Sequence, residues 1–205
     1  PEVLYHWRCV PGSAAAAVDA KPYAYESGRR ALEEHFRRCG IDATVEMKLP
    51  GHYQYRRNAL TSTPLVSIII QTRGDRRRVW GITTCLIVNA LESILKTSTY
   101  SNFEIIVVND VHPDGSSIHA FDAPDDPRIT VIRYDKPFNF SDKCNAGFLA
   151  SHGDIVIMLN DDTQVITPDW IEQLLGHLED PEVAMVGPML LLEDGRIQSA
   201  GHRNK

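Results

Sequence analysis

At 205 residues, with 43% apolar and 23% charged side chains, the chain has the make-up of a globular protein long enough to bury a real core. A formal net charge of −6 argues against a general nucleic-acid binder, whose phosphate contacts need clustered Lys and Arg; the short run Arg76 to Arg78 is the main exception. No apolar run approaches the ~18 residues of a membrane span and no basic-then-apolar leader opens the chain, so a soluble, cytoplasmic segment is expected, with any membrane association coming through a parent protein.

Residues 1–62 read as a small α+β region and linker, in which a strand-like "VLYHW" and a loop precede a helix from about Ala24 to Cys39. In that helix Ala31, Leu32, His35, Phe36 and Cys39 share a face, and Gly40 supplies a stop. Ile41, Ala43, Val45 and Met47 then alternate with polar residues as a half-buried strand does, and "YQYRR" is a second strand candidate. Cys9, Cys39, Cys85 and Cys144 form no C-x-x-C pair, so reduced thiols are expected rather than zinc or dithiol chemistry. The start at Pro1 instead of Met reads as a piece of a longer protein.

From Leu65 the texture changes, and residues 63–205 form the second region. Short β-branched runs, at 65–70, 103–108, 128–133, 154–159 and 183–187, alternate with helical stretches at about 79–96, 115–121, 141–151 and 168–178. Thr167 is the expected cap of the last helix. Near-continuous Val and Ile runs suit strands buried on both sides, which predicts an α/β fold: a mostly parallel sheet with helices on both faces. "LLLEDGRIQ" reads as a hairpin with a D-G turn.

In such a sheet ligands bind beyond the C-terminal strand ends, and these ends carry the polar residues: Gln71 to Asp75, then Asn109 and Asp110, then Asn160, Asp161 and Asp162. Two adjacent carboxylates repel each other and lose hydration when enclosed, so a cation or a set of donors must offset them. Hard Mg²⁺ or Mn²⁺ prefers carboxylate oxygen and keeps water and substrate phosphates in its other positions, which points to a diphosphate-bearing ligand. Taken alone, however, Asn160 to Thr163 reads more simply as a polar turn in which Asp161 caps backbone N–H groups. The stretch "QTRGDRRRVWG" lacks the glycines of a dinucleotide fingerprint, and neither a P-loop nor a nucleophile elbow is present.

The set "VSIIIQTRGD", "FEIIVVNDVHPDG", "PFNFSDKCNAGFLASHGDIVIMLNDDTQVITPDWIEQLL" and "VAMVGPMLLLEDGRIQSAG" resembles the family 2 glycosyltransferases over roughly residues 64–201. The likeness is strongest to the bacterial, rhamnosyltransferase-like branch that builds surface polysaccharide. It implies a GT-A, Rossmann-like nucleotide-diphospho-sugar transferase fold, incomplete at the C-terminus, and an inverting enzyme. Thr72 and Arg73 then fall where the family contacts the nucleotide, with Gln71 in place of the usual proline; Asp110 matches the acid that reads the base, with Asn109 in place of a first acid. The D-x-D-like motif falls on Asn160, Asp161 and Asp162, making Asp162 the metal ligand and Asp161 a partner of the ribose or of a metal-bound water. Asn145 and Gly147 match an N-x-G on the preceding helix.

Other residues have plainer readings. Lys143 reads as a solvated lysine before it reads as a phosphate contact, His112 and His119 as loop and helix-surface residues, and Trp80 and Trp170 as core-closing residues at helix starts. Arg76 to Arg78 reads as a solvated helix start. The implied partners are a nucleoside-diphosphate sugar, a glycan or lipid-linked acceptor, and further domains of the parent chain. The base that activates the acceptor is expected beyond Lys205, since the glycosyltransferase-like part is about 140 residues, short of the roughly 200 a complete domain of this kind needs. The competing reading is a non-catalytic nucleotide-binding or scaffold module with a degenerate fold, for which Asn109 and Asn160 speak. A nucleotidyltransferase is a further enzyme alternative, but its glycine-rich segment after the first strand is missing.

Overall fold

The computed structural model describes His6 and residues 22–201, so the strand expected at 3–7 and most of the loop after it lie outside the described residues. The chain divides into two compact units, Pro1–Leu60 and Thr61–Lys205. In the first, α1 (Pro22–Arg38) is followed by β1 (Ala43–Leu49) and β2 (His52–Arg57), which pair antiparallel. Val45 is the buried residue of β1. Phe36 stands 4.7 Å from the Tyr55 ring, and the Tyr53 hydroxyl donates to the Tyr25 carbonyl over 2.7 Å. Any side chain at Gly28 would collide with that hydroxyl.

The second unit contains β3 (Val66–Thr72), β4 (Arg76–Val79), β5 (Ile82–Cys85), α2 (Leu86–Thr97), β6 (Phe103–Asp110) and β7 (Ile129–Tyr134). It continues with α3 (Phe140–Leu149), β8 (Ile155–Asn160), α4 (Trp170–Leu178), β9 (Leu190–Leu191) and β10 (Ile197–Ser199). Four strands make the central sheet in the order β7-β6-β3-β8, and every neighbouring pair is parallel. Successive residues of a strand face opposite sides, so the complete burial of Ile68 and Ile69, and of Val107 and Val108, means that both faces are covered. Each such side chain contributes roughly 1.5–3 kcal/mol through burial.

The crossovers explain which helix covers which face. From β3 the chain moves outward to β6 and β7, then returns to place β8 on the other side of β3. Right-handed crossovers running in opposite directions put α2 and α3 on opposite faces. On the α3 side, Ala146 and Ala150 pack against Ile69, Ile106, Val108 and Tyr134. Gly147 allows the closest approach, since a Cβ there would overlap the Ile69 side chain and lie 3.0 Å from Val108 Cγ2. α2 buries Ile87, Ala90, Leu91 and Ile94, and its end is tied to the start of α4 by a 2.8 Å bond from Trp170 Nε1 to Ser98 Oγ.

Several expectations fail locally. The helix expected from residue 79 begins only at Leu86, because residues 76–85 form the antiparallel hairpin β4–β5. Its two-residue turn, Trp80 at φ 45° and Gly81 at φ 81°, is left-handed throughout, the geometry that matches the twist of paired strands. Trp80 therefore closes no core: it is half exposed, and its backbone N–H and Nε1 both donate to Glu193, in the β9–β10 turn. Arg76 to Arg78 are exposed, but on a strand. Residues 115–121 form no helix, because Asp114 accepts from the Ser116 N–H and hydroxyl and holds the chain in a turn. The apolar run at 183–187 pairs with no strand among the described residues, and Met185 is exposed. The cap of α4 is Asp169; Thr167 contributes its carbonyl, which accepts from the Trp170 N–H.

The D-G hairpin is present, with Gly195 at φ 83° between β9 and β10. Cys39, Cys85 and Cys144 are free thiols. Among the described residues no helix is long and apolar enough to cross a membrane.

Candidate functional site

β3 is where the direction of winding reverses, so the crevice beyond its C-terminal end, between β6 and β8, is the ligand position that this topology favours. Thr72 is the last residue of β3 and is 2% exposed. Its hydroxyl donates to Asp161 Oδ2 over 2.6 Å and accepts from the Gly74 N–H over 3.0 Å. A single relay therefore joins the loop after β3 to the acidic turn after β8. That turn is closed by the Thr163 hydroxyl on the Asn160 carbonyl, and the Asp161 side chain is committed across the crevice instead of capping its own turn.

On the other side of β3, Asp110 ends β6 and is 7% exposed. Lys143 of α3 reaches it: Nζ lies 2.7 Å from Asp110 Oδ1 and donates to the Thr72 carbonyl over 3.2 Å. Lys143 is 2% exposed, which overturns its reading as a solvated lysine. The available signal was its spacing. It stands four residues before Gly147, on the helix face that packs against the sheet. Asp110 Oδ1 thus has the Lys143 ammonium as its counter-ion, whereas among the described residues Asn109 Oδ1 is buried with no hydrogen-bond donor and Gln71 Nε2 with no acceptor. Orphaned polar atoms at the end of two inner strands are costly in a folded protein unless a ligand or water meets them.

Electrostatically the acidic end is frustrated. Burial raises the Asp161 carboxyl above its ordinary value; the Thr72 hydrogen bond opposes this, the Asp162 and Asp75 carboxylates add to it, and Lys143 partly relieves it. Asp162 itself is exposed. Among the described residues no three His, Cys, Asp or Glu side chains gather into a preformed cation cage. Asp161 and Asp162 instead offer the sparse carboxylate set of an ion that fills its remaining positions with water and ligand phosphates, a set that fits Mg²⁺ or Mn²⁺.

Of the residues singled out in the sequence, contacts join Thr72, Asp110 and Asp161, with Lys143 added. Asp162 adjoins Asp161. Arg73 and Asn145 are exposed, and among the described residues neither is hydrogen-bonded or ion-paired to this group. Gly147 acts in packing. His112 and His119 are both exposed and lie in loops, with His119 Nε2 at 3.3 Å from Asp75 Oδ1.

Known proteins resemble this chain. The sequence model described as "Glycosyl transferase family 2" matches residues 84–203. An uncharacterized protein, y4gI, of Sinorhizobium fredii is 43% identical over 203 residues, which are 98% of this chain and 22% of that protein. The O-antigen biosynthesis protein RfbC of Myxococcus xanthus is 34% identical over 204 residues, 98% of this chain and 15% of its own length. The chain thus spans about a fifth or less of these relatives. Among solved structures, the mannosyltransferase PcManGT from Pyrobaculum calidifontis, in complex with GDP-Man and Mn²⁺, aligns with 82% of this chain and 46% of its own at 16% identity and a TM-score of 0.45.

Proposed function

This chain belongs to glycosyl transferase family 2, whose model covers more than half of it, and on that footing we propose that residues 61–205 bind the donor of an inverting glycosyltransferase. The donor is a nucleoside-diphosphate sugar held with a divalent metal. In the full-length parent the sugar passes to a hydroxyl of a glycan or lipid-linked acceptor during surface-polysaccharide synthesis, a role suggested by the 34% identity to an O-antigen biosynthesis protein. The observation that carries the reading is the convergence of Thr72, Asp110, Lys143 and Asp161 at the switch point of the parallel sheet.

The roles follow from the chemistry of each group. Asp110, buried at the end of β6 with the Lys143 ammonium as its counter-ion, accepts an N–H of the base. Arg73, exposed at the end of β3, offers its guanidinium to the diphosphate. The Gly74–Thr72–Asp161 relay fixes Oδ2 of Asp161 and leaves Oδ1 for a ribose hydroxyl. Asn145, exposed on α3, is a further donor-side contact. Asp162 would hold Mg²⁺ or Mn²⁺, which when bound acts as a Lewis acid on the departing diphosphate. No residue of this chain is assigned as the acceptor base: Glu193 is occupied by Trp80 and Asp194 by Arg196.

A second reading, a nucleotide-binding scaffold without transfer activity, draws on Asn109 and Asn160 standing where acids are usual. Turnover separates the two. The full-length parent, supplied with a panel of nucleotide sugars, is expected to release nucleoside diphosphate, and Asp162→Ala is expected to abolish the release. A parent that binds nucleotide yet turns over none of the panel supports the scaffold.

A further inference from the structure

We infer that Phe138 is the stacking platform for the base of the bound nucleotide, an inference that rests on the donor-site reading above. Exposed apolar side chains taken singly mean little, and Phe138, 72% exposed, would be one of them but for its surroundings. Its ring centroid lies 6.0 Å from Lys143 Nζ, the ammonium that stands 2.7 Å from Asp110 Oδ1. One lysine headgroup therefore separates an open aromatic face from the buried Asp110 carboxylate.

The ring is not on a loose tip. The Tyr134 hydroxyl reaches the Pro137 carbonyl at 3.3 Å and Asp142 Oδ2 at 2.9 Å, and Asn139 caps α3 by accepting from the Asp142 N–H at 3.1 Å. The backbone is thus anchored on both sides of Phe138. Gln71, Thr72 and Arg73, at the end of β3, carry no ring.

A π face, a buried carboxylate and its partner ammonium with a third N–H describe a planar heterocycle that bears a ring N–H beside a carbonyl. Uracil, thymine and guanine have this edge. Stacking on an aromatic side chain tolerates any of them, while Asp110 and Lys143 read the polar edge.

The test is calorimetric titration of the chain with UDP, dTDP, GDP and inorganic pyrophosphate, each with Mn²⁺, for the wild type, Phe138→Ala and Phe138→Trp. Phe138→Ala is expected to weaken the nucleotide that the wild type binds best by about 5- to 150-fold, the range that loss of one base–aromatic stack produces. Pyrophosphate binding is expected to be unchanged, and Phe138→Trp is expected to keep nucleotide affinity within about threefold of the wild type. Nucleotide affinity unchanged in Phe138→Ala, an equal loss for pyrophosphate, or a Phe138→Trp as weak as the alanine variant overturns the inference and leaves the donor site standing. A wild-type chain that binds none of the nucleotides overturns the donor site itself.

Discussion

Replacing Lys143 by Met tests the buried ion pair at the centre of the crevice. Lys143 and Asp110 are 2% and 7% exposed, with Nζ and Oδ1 2.7 Å apart. Met nearly fills the volume of the lysine stem, so the change removes the charge and leaves little cavity. Asp110 is then a buried carboxylate without a counter-ion, a state that costs roughly 3–5 kcal/mol. At about 2–4 °C per kcal/mol, Lys143→Met is expected to melt about 6–20 °C below the wild type. Urea unfolding followed by tryptophan fluorescence gives the free energy, because Trp80 and Trp170 both belong to the unit that contains the pair. Adding Asp110→Asn removes the stranded charge, so the double variant is expected to recover most of the loss, with a coupling energy above about 2 kcal/mol. The reasoning is refuted if Lys143→Met unfolds within about 0.5 kcal/mol of the wild type, or if the two changes are simply additive.

Two further outcomes follow from the same geometry. Asp161 has a folded-state carboxyl raised above its ordinary value of 3.8, so the folded protein holds that proton more tightly than the unfolded chain and the ionised form costs stability above the folded value. Asp161→Asn should therefore raise the melting temperature of the metal-free chain at pH 7, and the gain should fade as the pH falls toward 3.8; an unchanged or lower melting temperature at pH 7 contradicts the assigned strain. Gly147→Ala pushes a methyl into Ile69 and Val108 and is expected to cost roughly 1–3 kcal/mol in urea denaturation, whereas a neutral result would mean that α3 can lift off the sheet freely.

The sheet was legible in the sequence because its inner strands are buried on both faces. Such strands must be written as unbroken Val and Ile runs, and the inner β3 and β6 begin and end within about two residues of those runs; the edge strands β7 and β8 follow their runs as closely although they are only partly buried. The acids at the strand ends were legible for the same reason, since a polar residue after an apolar run marks where the strand leaves the core. Legibility failed where local and tertiary forces part. Nothing in "RRRVWGITTC" marks a hairpin, because its turn puts a left-handed conformation on Trp80, a residue that rarely adopts one. The run at 183–187 is apolar enough for a strand, but pairing needs a neighbour, which no local pattern encodes.

Lys143 was misread for a subtler reason. Charge argues for solvent, and only the partner waiting at the end of β6, 33 positions earlier in the chain, makes burial possible. In the same way, adjacency alone made Asp161 and Asp162 look like an ordinary turn. The Thr72 relay across the crevice is a contact between residues 89 positions apart, and it is what sets this turn apart from an ordinary one.

The donor site is tested most directly by titrating the chain with UDP, dTDP and GDP, with and without Mn²⁺, and repeating the series with Asp162→Ala. Tight binding of at least one nucleotide that requires the metal, and that falls by at least tenfold in Asp162→Ala, is the predicted result. Binding that is indifferent to metal and to Asp162, or no binding of any of the three, would contradict it.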